Sequence, residues 1–137
     1  MKPKTFIDTN ILIYAIDRYD LEKQRSSRKR LTVIEKEGNG VVSTQVIQEF
    51  FVAATKKLGM DPRVAKQQID GLANFEVVDV DVPLIKDAVD CSILSQIHFW
   101  DALIVVSAQK AKCDVLLTED LNHGQLFKTL KIENLFI

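Results

Sequence analysis

The chain has 137 residues, of which 47% are hydrophobic and 27% charged, and its formal net charge is −1. This fits one folded domain, 1–137, with a real core, and excludes a disordered or collagen-like chain. The charge balance excludes a nucleic-acid binder that works by bulk positive charge alone. A site made of carboxylates can still approach phosphate through bound cations.

The start, MKPKTFIDTNILIYAID, is basic and then apolar, but Asp8 and Asp17 interrupt the apolar run and no small-residue cleavage site follows. A signal peptide is not expected. No apolar run reaches membrane-spanning length, so a cytoplasmic protein with no membrane association is expected. Thr5-Phe6-Ile7 is a short β-prone run ending at Asp8, and helical residues follow over 11–16. Residues 21–37 form a polar, amphipathic helix that Gly38-Asn39-Gly40 stops. It holds Lys23, Arg25, Arg28, Lys29 and Arg30. A solvated helix face is the favoured reading of that basic stretch, with phosphate steering as the alternative.

Val41-Val42-Ser43 reads as a buried strand. Residues 44–58 then form a helix with Val46, Ile47, Phe50, Phe51, Ala54 and Leu58 on its apolar face. Asp61-Pro62 starts a helix that ends near Gly71. Residues 75–80 alternate and are β-branched, giving a strand. Pro83 opens a helix to about residue 97, and 99–110 is a further helix, apolar almost all round. Val115-Leu116-Leu117 is a short buried strand ending in Thr118-Glu119-Asp120, and 131–137 is the last strand. Cys91 and Cys113 fall in apolar segments without metal-type spacing and are read as small buried hydrophobes with no disulfide framework. Apolar strands separated by helices predict an α/β fold: an α/β/α sandwich around a mainly parallel sheet of about five strands. Ligands gather at the carboxyl ends of such strands, where Asp8 and Asp120 fall.

Each carboxylate has an ordinary explanation. Asp8 can cap the helix that follows it. Glu49 can be a solvated residue at the edge of an apolar face. Asp120 can form an Asx-turn or cap a helix from Leu121 onward. Asp101 is harder to explain, because Ile104, Val105 and Ala108 stand three, four and seven residues on. An unpaired carboxylate in such a buried helix costs several kcal/mol. The helix N-terminus returns only about 0.3–1 kcal/mol, up to ~2 when partly buried. Jointly, the four suit a hard cation such as Mg²⁺ and would repel one another without countercharge. Thr118 is expected to share a side with Asp120, and Glu119 to point away.

Phe6-Ile7-Asp8-Thr9-Asn10-Ile11-Leu12, Gln45-Val46-Ile47-Gln48-Glu49-Phe50, Trp100-Asp101-Ala102-Leu103-Ile104 and Leu117-Thr118-Glu119-Asp120-Leu121 resemble, in order, the four motifs of PIN-domain ribonucleases, and the chain is similar to VapC-type toxins. The resemblance implies a PIN-like fold and an acidic quartet of Asp8, Glu49, Asp101 and Asp120, supported by Asn10 and Thr118. It also implies Mg²⁺ or Mn²⁺, endonucleolytic RNA cleavage by metal-activated water, a homodimer, and a cognate VapB-type antitoxin. An RNA-processing nuclease that is not a toxin and an inactive RNA-binding module remain alternatives within the family.

A phosphoaspartyl phosphatase also places Asp after its first strand, but it needs a second carboxylate two residues later, where this chain has Asn10. A phosphate-accepting signalling domain lacks its acidic pair and late lysine here. His98 and His123 have no ligand spacing for zinc and are read as structural or surface residues, with His98 close enough to Asp101 to leave a role near substrate open. Phe99 and Trp100 are expected to be core or dimer contacts rather than base-stacking platforms.

Overall fold

The computed structural model describes residues 3–137. In chain order the elements are β1 (Thr5–Ile7), α1 (Thr9–Tyr14), α2 (Leu21–Glu37), β2 (Gly40–Ser43), α3 (Thr44–Lys56), α4 (Pro62–Leu72), β3 (Glu76–Val78), α5 (Val82–Ser95), α6 (Phe99–Lys110), β4 (Val115–Leu117), β5 (Leu126–Phe127) and β6 (Leu130–Glu133). The helix starts follow local chemistry. The side chains of Asp8, Asp20, Ser43, Asp61 and Asp81 each accept a backbone N–H from the turn they cap, and Pro stands in the first turn of α4 and α5. At the other end of α2, Gly38 takes the left-handed conformation (φ 67°) that closes a helix without a Cβ clash.

The six strands form one sheet in the order β3-β2-β1-β4-β6-β5. All pairings are parallel except β5 with β6. Successive side chains on a strand point to opposite faces, and every residue of β1 and β2 is buried, so helices cover both faces. Phe6, Ile7, Val41, Val42, Leu116 and Ile132 form the centre of the core. From β1 the chain steps to β2 and β3 on one side, then returns to place β4 on the other. The reversal lies between β1 and β4, whose carboxyl ends carry Asp8 and Thr118-Glu119-Asp120. Open α/β sheets bind ligands at such a reversal because the connecting loops diverge there and leave a crevice.

The sequence expectations hold for order and type, with local corrections. The sheet has a sixth strand, β5, which is two residues long. The last strand ends at Glu133 rather than continuing to 137, and the strand expected over 75–80 is confined to Glu76–Val78. No helix follows Asp120, so it caps none. The basic stretch is neither merely solvated nor free. Lys23 pairs with Glu119 at 3.0 Å, Arg28 donates to the Ala15 carbonyl at 2.6 Å, and Arg30 pairs with Glu133 at 2.9 Å. Arg25 and Lys29 fit the solvated reading, both being exposed and without a side-chain partner among the described residues. Among the described residues no single helix is long and apolar enough to cross a membrane.

Candidate functional site

Asp8 ends β1 and begins α1, so its side chain sits where the sheet opens. It is 5% exposed. One carboxylate oxygen accepts the Thr9 backbone N–H at 2.7 Å, and the other accepts the Thr118 hydroxyl at 2.8 Å. Asp8 therefore caps α1, as one of its sequence readings expects, with its second oxygen turned to the end of β4. Thr118 is fully buried at the end of β4. Its oxygen also accepts the Asp120 backbone N–H at 3.1 Å and the Asn10 amide at 3.4 Å. The same Asn10 amide donates to the Asp120 carboxylate at 3.0 Å. The expected supporting residues, Asn10 and Thr118, thus tie Asp8 to Asp120.

Glu49 reaches the group from α3. It accepts the Thr9 hydroxyl at 2.8 Å and the Gln45 amide at 3.3 Å. Gln45 also donates to the Trp100 carbonyl at 3.3 Å, which joins α3 to the first turn of α6 and to Asp101 one residue on. Sequence reasoning gave Thr9 and Gln45 no role. Gln45 was legible as the residue one helical turn before Glu49; Thr9 had no comparable signal. Asp8, Asn10, Glu49 and Asp120 line one cleft of about 650 Å³ together with Glu119, Trp100 and part of α3.

Burial is the main force on the acids. It raises Asp8 from the ordinary carboxylate range to about 7, against the lowering effect of its two hydrogen bonds, and the charges of Asp120 and Glu49 add to the rise. Asp101 is half-buried, not deeply buried as its helix suggests. Burial still raises it, with Asp120 and Glu49 adding and His98 opposing. The four carboxylates therefore share one electrostatic neighbourhood, and the one most in need of compensation is Asp8.

Among the described residues none of the four is ion-paired. Glu119 differs: it takes the Tyr14 hydroxyl at 2.6 Å and the Lys23 ammonium, so it carries its own countercharge. Asn10 Oδ1 and Gln45 Oε1 are buried beside the group without a hydrogen-bond donor. As the side chains stand, no three His, Cys, Asp or Glu groups among the described residues converge tightly enough to grip an ion. Glu49 and Asp120 are turned to Thr9, Gln45 and Asn10 instead. Trp100 is a correction to the core reading, being 63% exposed on the cleft. Phe99 is half-buried against the core as expected.

The Asp8 shift fixes a pH dependence. Native Asp8 keeps its proton up to about pH 7, whereas the unfolded chain loses it near 3.8. Between those values the native state binds more protons, so stability falls as pH rises through the window. Replacing Asp8 with Asn keeps a cap and removes the titration. In chelator-containing buffer, Asp8→Asn is expected to flatten the wild-type decline between pH 4 and 7 and to exceed wild type above pH 7 by on the order of 1–3 kcal/mol. Urea unfolding across this range checks it, and parallel curves for the two proteins would contradict the burial argument.

No curated protein is a significant match in sequence. Solved structures share the fold. A toxin–antitoxin complex from Klebsiella pneumoniae superposes with TM-score 0.68 at 19% identity, covering 93% of this chain and 95% of that one. DNA-bound VapBC from Salmonella typhimurium gives 0.69 at 20%, covering 98% and 99%. VapC20 of Mycobacterium tuberculosis, described as a Sarcin-Ricin loop cleaving toxin, gives 0.68 at 20%, covering 82% and 87%. The sequence profile of the PIN domain matches residues 5–127, from the first strand to the fifth, and the chain belongs to the PIN-domain family.

Proposed function

We propose that this chain is a divalent-metal-dependent endoribonuclease acting in the cytoplasm as the toxin of a toxin–antitoxin pair. In this reading Asp8, Glu49, Asp101 and Asp120 hold Mg²⁺ or Mn²⁺. The observation that carries the reading is a set of carboxylates at the sheet reversal, none ion-paired among the described residues: Asp8, Glu49 and Asp120 line one cleft, and the charges of Glu49 and Asp120 act on both Asp8 and Asp101. The donors fit a hard cation: they are all oxygens, and two further buried amide oxygens beside them lack donors. Glu49 and Asp120 would turn from their present partners to reach an ion.

When bound, the ion supplies charge that offsets the phosphodiester and acidifies a water for attack. The protein's own residues prepare the site. Thr118 and the Thr9 N–H fix Asp8. Asn10 orients Asp120, and Thr9 and Gln45 orient Glu49. The toxin role, with a VapB-type antitoxin as partner, is supported by the likeness to toxin–antitoxin complexes and to a toxin described as cleaving the Sarcin-Ricin loop. A homodimer is supported by α5, where Ile85, Val89 and Ile93 recur every fourth residue and stand open to solvent beside Leu94.

Two experiments test these parts. Asp8→Asn and Asp120→Asn are each expected to lower Mg²⁺-dependent cleavage of RNA by on the order of a hundredfold or more, with unchanged circular dichroism. Chelation abolishes wild-type cleavage and Mg²⁺ restores it. Wild-type rates in either variant, prepared free of contaminating nuclease, would sink the assignment. Induced expression of the wild type arrests growth; uninhibited growth despite active enzyme in the cell would leave an RNA-processing nuclease in place of a toxin. Separately, Ile93→Asp is expected to shift a wild-type dimer to monomer in sedimentation velocity, and a monomeric wild type at micromolar concentration rejects the dimer.

A further inference from the structure

The cleft is lined by two kinds of residue. Beside the carboxylates Asp8, Glu49 and Asp120 stand the apolar side chains of Ile13, Val52, Ala53 and Trp100, with Val52 and Ala53 one turn beyond Glu49 on α3. Val52 is 51% exposed and Trp100 63% exposed. Leaving such area in water beside a polar site is unfavourable unless something covers it. Trp100 is held in place rather than loose. It lies in the first turn of α6, and its carbonyl accepts the Gln45 amide. Its ring meets Phe99 edge-to-face, with centroids 5.1 Å apart and planes at 76°. The next residue is Asp101.

Unpaired nucleobases present open π-faces and stack on exposed aromatic side chains, whereas bases in a duplex are covered by their neighbours. An RNA cut in this cleft brings the bases flanking the scissile phosphate to the cleft that Trp100 also lines. We infer that Trp100, with Val52 and Ala53, is a stacking subsite for an unpaired nucleobase next to the cut bond. Gln48 and Lys57, both exposed, line the same cleft and offer it an amide for a base edge and an ammonium for a phosphate. The subsite rests on the nuclease reading above. A subunit contact is the competing use of an exposed indole, but the apolar stripe suited to a second copy lies on α5, while Trp100 opens on the cleft.

Trp100 is the sole tryptophan of the chain, so its emission reports on this position alone. The test uses Asp120→Asn protein in chelator, which binds without cutting, or chelated wild-type protein if that variant fails to fold. A short oligouridylate is expected to quench the emission saturably, and a ribose-phosphate oligomer of equal length lacking bases is not. By anisotropy of a labelled oligouridylate, Trp100→Ala weakens binding by about tenfold or more, and Trp100→Phe recovers most of the loss. In the otherwise wild-type enzyme Trp100→Ala raises KM and leaves kcat nearly unchanged. Equal quenching by the base-free oligomer, or unchanged affinity and KM in Trp100→Ala, overturns the subsite and leaves the nuclease standing. Conversion of a dimer to monomers by Trp100→Ala with RNA affinity retained overturns it in favour of a subunit contact. Absence of Mg²⁺-dependent cleavage by the wild type overturns both readings.

Discussion

Asp8 is held out of water where β1 meets β4, with one backbone N–H and one threonine hydroxyl as its only partners among the described residues. Two hydrogen bonds do not replace the hydration of a carboxylate, and its affinity for a proton rises until it is half-neutral near pH 7. That rise amounts to a preference for the neutral form of on the order of 4 kcal/mol. The sheet imposes this arrangement. Asp8 follows a strand whose neighbours on both sides are parallel and buried, and its backbone N–H continues the ladder to the Leu117 carbonyl at 3.0 Å. The residue cannot retreat into solvent without breaking the centre of the sheet.

The surroundings of Asp8 show how the fold tolerates so much negative charge. Thr118 acts as a hub, donating to Asp8 and accepting from Asp120 and Asn10. Asn10 and Gln45 each place an amide N–H on a neighbouring carboxylate, which leaves their own oxygens buried and unpartnered. An amide answers a carboxylate's need for a donor but not its charge. Glu119 has the opposite solution, a lysine ammonium over two aromatic rings at 4.5 and 5.0 Å. The same loop thus holds one acid that is neutralised internally and one, Asp120, that has no ion pair among the described residues. This difference is why the proposed function gives Asp120, and not Glu119, to the metal site.

Much of this was legible in the sequence, for identifiable reasons. Strands β1, β2 and β4 are short apolar runs that end at a polar residue, and α6 is recognisable by its unbroken apolar stretch from Ala102 to Val106. The two-residue β5 carries no periodicity, and it exists only because β6 pairs back on it. Asp8 and Asp120 were placed by strand ends. Glu49 rested on motif resemblance, and its partner Thr9 became visible only once α3 was folded against α1. Asp101 looked like the most strained acid because its helix is apolar all round. Its own position in the first turn leaves it half-exposed, and the strain falls on Asp8, which sequence reasoning had explained as a cap. Trp100 misled for the same reason: residues 99–110 share a buried helix, but its first turn projects beyond the core. Burial at a helix end depends on what packs there, which periodicity does not encode.

In the proposed function the quartet, and Asp8 above all, is completed by a divalent cation. Isothermal titration of Mn²⁺ into chelator-stripped protein at pH 6.5, in two buffers of different ionisation enthalpy, tests it most directly. Asp8 is largely protonated there, so an ion that uses its carboxylate must expel a proton. The account predicts saturable binding with net proton release that shrinks by pH 8.5 and is lost in Asp8→Asn. Binding without proton release, or release unchanged by Asp8→Asn, would contradict it.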